Sequence, residues 1–189
     1  MRLYRWISIV FIIFAGMAQA QAYVELNGFY TSDALTVTGG SAASGRTYFE
    51  GAIGFEIDKK GRYLVGWGYA SFSTTDTSGG TTTTYSSSQM GPRFLWIIDK
   101  KKNWSLGLAY YLVTTGSYAP SGGTSEQWKG TALKADFGYN FPVTEKFHLG
   151  LRMNYSSATY TEKFVGEAYT KVSNTKSAIY PSVYSIWYW

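Results

Sequence analysis

The sequence predicts an all-β fold, an eight-stranded antiparallel up-and-down transmembrane β-barrel. Three observations carry that prediction. Apolar side chains alternate with small or polar ones over segments of about ten residues. The connections between those segments are short and long in strict turn along the chain. The composition is rich in aromatics at 19% and poor in charge at 15%, where a soluble domain carries about 25% charged residues. Something other than water must face much of this surface.

The first twenty residues are expected to lie outside the fold. Arg2 and Arg5 open the chain, the apolar run Ile7–Met17 follows, and Ala18-Gln19-Ala20 supplies a small-residue cleavage pattern. This is the order of a cleaved secretory signal peptide over 1–20, and the run falls short of the roughly 20 residues a spanning helix needs. Cleavage leaves 189 − 20 = 169 residues and lowers the formal net charge from +5 to +3. That mild charge gives no support to a nucleic-acid partner. With no cysteine, an exported chain must hold together by burial and hydrogen bonding.

Residues 21–189 then divide into eight candidate strands, at 22–32, 46–57, 62–73, 85–98, 104–115, 128–141, 147–159 and 177–189. Three connections are short: Asp58–Gly61, Asp99–Asn103 and Pro142–Lys146. Four are long and rich in Ser, Thr and Gly: Asp33–Gly45, Thr74–Thr84, Gly116–Gln127 and Tyr160–Lys176. A barrel with both termini on the periplasmic side, short turns there and longer loops outside predicts this order.

The two faces of each strand differ in kind. Trp104, Leu106, Leu108, Tyr110 and Leu112 oppose Ser105, Gly107, Ala109 and Tyr111. Phe147, Leu149, Leu151, Met153 and Tyr155 oppose His148, Gly150, Arg152, Asn154 and Ser156. Both faces of 62–73 are apolar, and odd-outward is the assignment adopted, with Gly66 and Gly68 making room inside. Alternation alone does not say which face is inside. A soluble lipocalin-like binder would turn the apolar face inward. The aromatics favour the membrane reading, because Phe55, Trp96, Trp104, Phe141, Phe147 and Trp187 all sit on apolar faces beside the short turns, as an interfacial belt requires.

The opposite face then lines a lumen just wide enough for side chains to fill. The charges assigned to it are Glu50, Arg93, Lys134, Asp136 and Arg152, with Glu25 and Glu56 nearer the periplasmic end. Arg93, Asp136 and Arg152 each lie six residues from the nearest end of a short turn, and Glu50 lies eight from its own, so four strands bring charge to a similar depth. Around a turn centred on Thr144, Asp136 and Arg152 are expected to face each other. Charges in a poorly hydrated lumen are tolerable only when paired. A structural ionic plug is the expectation, and a narrow or gated channel for small solutes is the alternative.

The last strand, Ile179–Trp189, ends on an aromatic, with Val183, Trp187 and Trp189 on one face and Ser185 and Pro181 interrupting the pattern. It resembles the C-terminal assembly signal of outer-membrane barrels. Together with strand number and loop order, residues 21–189 resemble the small eight-stranded outer-membrane proteins of the OmpA membrane domain, OmpX and NspA class. That resemblance implies residence in the outer membrane among its lipids, export by the Sec route and insertion by the barrel assembly machinery.

Catalytic chemistry has little to stand on. Small barrels that act on lipid A place a catalytic His with Ser on the outer-leaflet side. Here the single histidine, His148, adjoins a short turn, and no His-x-Ser motif exists. One His and no Cys argue against a transition-metal site, and no phosphate-cradling Gly loop with its Lys occurs. No cofactor is expected. The role expected is structural or one of surface interaction, the long loops being candidates to meet a surface partner.

Overall fold

In the computed structural model, residues 21–37, 40–58 and 60–189 are described. The expected signal peptide at 1–20 lies outside them. Eight strands follow in sequence order: β1 (Ala22–Val37), β2 (Gly40–Glu56), β3 (Tyr63–Ser78), β4 (Thr81–Ile97), β5 (Trp104–Pro120), β6 (Glu126–Pro142), β7 (Phe147–Val165) and β8 (Ala168–Tyr188). Each pairs antiparallel with its neighbours, and β8 returns to β1 to close the barrel. Backbone bonds between Ala22 and Trp189, at 3.2 and 3.0 Å, fasten the two ends on the side of the short turns.

Those short turns form because a side-chain oxygen takes up backbone N–H groups that the ladder leaves over. Asp58 Oδ1 accepts from the amides of Arg62 and Tyr63 at 2.7 and 2.8 Å. Asp99 Oδ1 accepts from Trp104 N at 2.8 Å, and Thr144 Oγ1 from Phe147 N at 3.0 Å. The turns fall at 57–62, of which 59 lies outside the described residues, at 98–103 and at 143–146.

The opposite end departs from expectation. The four segments read as long loops are mostly strand. β3 and β4 run to a two-residue tip at Gly79-Gly80, and β7 and β8 to Gly166-Glu167. Only Ser121–Ser125 separates β5 from β6, and the β1–β2 tip at 38–39 lies outside the described residues. Two causes are visible. Thr is a good strand former, and its hydroxyl bonds across the ladder, as Thr77 does with Thr82 at 3.0 Å. Gly79 and Gly80 both take positive φ, 56° and 80°, the conformation a type I′ hairpin turn requires. Strands of 16–21 residues exceed the 9–11 that a tilted strand needs to cross a bilayer, so the barrel wall continues well beyond a membrane's thickness.

The outward face is apolar over a continuous band, with Ile53, Trp67, Leu108, Leu133, Leu151 and Val183 all exposed. In β3 the odd residues Trp67 and Tyr69 point outward while Leu64 and Ala70 are buried inside. The β5 ladder carries an irregularity between Tyr111 and Thr114, which leaves Leu112 and Val113 both exposed and flips the strand's inward phase.

Candidate functional site: the ionic layer in the lumen

The lumen is filled in three layers. Nearest the short turns, Tyr23, Leu64, Leu95, Ile97, Tyr184, Ile186 and Tyr188 form an apolar cluster. At the far side, Tyr48, Tyr85, Tyr111, Tyr160 and Tyr180 pack with Ala70, Ala109, Ala132 and Ala158. The large rings fit beside small residues on facing strands, which is how a narrow barrel fills without voids. Tyr85 and Tyr160 share a hydroxyl hydrogen bond at 2.5 Å, and Tyr160 bonds Ser87 at 3.1 Å.

Between these layers lies the site. All five charged residues assigned to the lumen from sequence meet there, and Glu25 joins them. Arg93 on β4 is the hub. Its Nη2 donates to Glu25 Oε1 at 2.8 Å, and its Nη1 donates to Asp136 Oδ2 at 2.9 Å and lies 3.5 Å from Glu50 Oε1. Arg152 on β7 donates to Glu25 Oε1 at 2.5 Å and sets its Nε 3.0 Å from Asp136 Oδ1. Lys134 on β6 bonds Glu50 and lies 3.4 Å from Asp136. Glu50 also accepts from Tyr111 OH at 2.6 Å and from Asn27 Nδ2 at 3.1 Å. The Arg152 guanidinium stacks 3.7 Å from the centre of the Tyr184 ring on β8.

Three acids thus meet three bases, and the formal charge of the layer is zero. Glu25 and Glu50 have no solvent exposure, and Arg93, Lys134, Asp136 and Arg152 have 2% or less. At that burial an unpaired charge would be costly, so the matched count is what makes the layer tolerable. Gly107 on β5 is part of the same arrangement. It pairs with Asp136, and a Cβ there would overlap the Asp136 carboxylate. The cavity just above the layer, lined by Tyr48, Tyr85, Gln89 and Tyr180 among others, measures about 20 Å³, close to the space of a single water.

Two expectations need correction. Asp136 and Arg152 are not directly opposed. Val143 N and Thr144 N both donate to Phe147 O at 3.0 Å, which centres the turn one residue later and pairs Asp136 with Asn154 and Gly138 with Arg152. The two charges meet on the diagonal instead. Glu25 belongs to the layer itself, because its side chain reaches both Arg93 and Arg152. Glu56 does lie at the short-turn rim, 3.7 Å from Lys102.

The six aromatics assigned to a belt stand on the outer face at that same end. Phe147 stacks on Trp187 with ring centres 4.8 Å apart, Tyr63 on Trp96 at 6.4 Å, and Trp104 on Phe137 at 5.2 Å. Phe141 meets Tyr139 edge-on at 4.9 Å, and Phe55 follows the exposed Ile53 on β2. Of the assigned assembly-signal residues, Val183 and Trp189 are exposed and Trp187 half-buried, all on that face. His148 is buried against the Tyr188 ring, 5.4 Å between centres, at the short-turn end. Of the tyrosine layer only Tyr111 is placed on the inward face by the sequence reading, although the signal for another was present. Tyr48 shares the phase of Glu50, and Tyr111 that of Ala109 and Gly107. Among the described residues no cluster of three or more His, Cys, Asp or Glu is arranged to hold a metal ion.

No protein-family model matches the chain, and no curated protein matches its sequence. Among solved structures the fold is similar to Neisserial surface protein A (NspA), at 15% identity and TM-score 0.48 over 89% of this chain and 96% of that one. It is also similar to Ail, the attachment invasion locus protein of Yersinia pestis in complex with the heparin analogue sucrose octasulfate. There the identity is 12% and the TM-score 0.44, over 89% of this chain and 97% of that one. A third likeness is to the outer membrane protease OmpT of Escherichia coli, at 8% identity and TM-score 0.37 over 89% and 91%. These likenesses concern the fold alone.

Proposed function

We propose that this chain is an outer-membrane β-barrel protein with a structural or surface-interaction role, a sealed lumen and no catalysis. The observation that carries the reading is the neutral layer of three carboxylates and three cations, closed below by aliphatic and aromatic side chains and above by tyrosines. A conducting pore needs a hydrated path. Here each acid is held by at least two cations at less than 4 Å, so moving an ion through would mean parting several buried pairs at once.

The outer surface supports the membrane setting. A band of exposed apolar side chains, rimmed by stacked aromatics beside the short turns, is stable against hydrocarbon and unstable against water. A soluble lipocalin-like binder needs the reverse, an apolar lumen and a polar exterior. Export through a cleaved signal and insertion by the barrel assembly machinery belong to the same reading. The strand extensions beyond the band, carrying Ser, Thr and the stacked pair Tyr118 and Trp128 (ring centres 5.6 Å apart), are the surface open to a partner outside the cell.

Two measurements test this reading. The protein should sediment with outer membranes, need detergent for release and migrate differently on gels before and after heating; release by buffer alone refutes it. In planar bilayers the wild type and Arg152→Ala should both lack steady single-channel steps. Reproducible conductance in the wild type, altered by Arg152→Ala, would establish the gated-channel alternative instead.

A further inference from the structure

The seam where the barrel closes is incomplete. β1 and β8 pair only over Tyr23–Gly28 and Val183–Tyr188. Beyond that point both strands continue, β1 bonded to β2 as far as Val37 and β8 to β7 back to Ala168, yet they no longer bond each other. Pro181, which interrupts the alternation of the last strand, sits here. Pro181 has no N–H to offer a ladder, and the Asn154 amide holds Tyr180 O at 3.1 Å and Ser182 Oγ at 2.7 Å, tying this stretch of β8 to β7.

A groove opens at the seam on the outer face. Its main part, about 470 Å³, runs from Gly28 and Tyr30 on β1 past Val183 and Leu151 and on to Tyr139 on β6 and Trp104 on β5. A lower hollow of about 250 Å³ continues it along Leu26, Phe49, Leu149 and Ser185. At Phe29 and Pro181 the groove meets a cavity of about 340 Å³ set in the gap between the strands, lined on its polar side by Thr31, Asp33, Ser44 and Arg46. Ligand clefts have volumes in this range. The small residues Gly28 and Ser185 create the groove by withholding side chains from the lipid-facing surface.

We propose that this seam is a binding site for one zwitterionic phospholipid, an acyl chain lying in the groove and the headgroup entering the gap. The groove is apolar and lies within the membrane-facing band, which is where an acyl chain already is. The gap holds one cation and one carboxylate from adjacent strands, Arg46 on β2 and Asp33 on β1, and neither forms a salt bridge among the described residues. A guanidinium is suited to a phosphate, and a carboxylate to the ammonium beyond it. Strand edges without a ladder partner are disfavoured at membrane depth, and a polar headgroup supplies partners that lipid tails lack.

The inference rests on the outer face being membrane-embedded, and its test separates the two. Gly28→Phe fills the groove, and a Cβ at Gly28 meets nothing nearer than Tyr48 O at 3.7 Å, so the backbone accommodates it. Val113→Phe, on the exposed face of β5, is the control. The three proteins are reconstituted in vesicles containing phosphatidylethanolamine and phosphatidylglycerol, extracted in mild detergent and examined by native mass spectrometry. Wild type and Val113→Phe should each retain one phosphatidylethanolamine. Gly28→Phe should retain about tenfold less, the effect of some two methylene groups losing their contact. Asp33→Asn, which removes the partner of the ammonium, should lessen the preference for phosphatidylethanolamine over phosphatidylglycerol. No adduct on wild type, or equal retention by Gly28→Phe, overturns the site. Failure of the wild type to insert in the vesicles at all refutes the membrane reading instead.

Discussion

Replacing Arg93 by Met tests the central role of the ionic layer most directly. The substitution keeps an unbranched stem of similar reach and removes only the guanidinium that contacts Glu25, Asp136 and Glu50 at 2.8, 2.9 and 3.5 Å. Three buried carboxylates would then share Lys134 and Arg152, leaving one negative charge uncompensated. Removing one partner from a buried charge network costs about 3–5 kcal/mol, roughly two to nearly four orders of magnitude in the folding equilibrium. With a urea dependence of about 1–3 kcal/mol per molar, the midpoint should fall by at least about 1 M. Equilibrium unfolding from phospholipid vesicles, followed by tryptophan fluorescence and checked by heat-modifiable migration, measures it. Adding Asp136→Asn restores neutrality, with Glu25 paired to Arg152 and Glu50 to Lys134, and should return more than half of the loss. A cost below about 1 kcal/mol for the single change, or a double variant no more stable than the single, would refute the reasoning.

Three further outcomes follow from other parts of the barrel. Gly80→Val forces a β-branched side chain into positive φ and should cost about 1–2 kcal/mol locally, seen as faster proteolysis at the β3–β4 tip while heat-modifiable migration persists. Trp187→Ala removes the ring stacked on Phe147 and should cost about 0.5–1.5 kcal/mol beyond its lost area; an unchanged urea midpoint would contradict the belt. Asp58 responds to acid. Burial opposes its ionised form, but the amides of Tyr63, Arg62 and Lys60 and the Arg62 charge outweigh it and hold its pKa below the usual value. A depressed pKa gives stability that is present above the unfolded carboxyl range, near pH 4, and fades as pH falls through the folded value. Asp58→Asn should therefore flatten the stability profile below about pH 4, and an unaltered acid limb would exclude the turn as its source.

The parts of this fold legible in the sequence are those where side-chain chemistry marks a boundary. Phe147 and Trp187 mark the rim, Asp58 and Asp99 mark turns, and charges at a common distance from those turns mark the lumen layer. Loop-like composition misled at the other end. Ser, Thr and Gly between 74 and 84 read as a solvated loop, yet a strand beyond the exposed apolar band has no apolar face to display, so its period-two signal vanishes while the ladder continues. The pairing of Asp136 with Asn154 was missed because register depends on one backbone bond in the Val143–Lys146 turn, which composition does not encode. Glu25 was placed too low because its reach, not its rung on the strand, decides its partners. The inward Tyr48 could have been read from its phase alone.

The ionic layer also bears on the order of events when the barrel is made. Its members are far apart in the chain, with Glu25 bonding a residue 127 positions away, so no early hairpin can complete it. A sheet of β2 through β8, with β1 not yet docked, holds Glu50 and Asp136 against Arg93, Lys134 and Arg152, an excess of one positive charge in a space about to lose its water. Docking β1 brings Glu25 and cancels that excess. Closure at the seam and neutrality in the lumen are therefore the same event. Contacts this non-local fold slowly, and a ring closed in another register would leave a buried charge without its partner, at the cost that removing Arg93 carries.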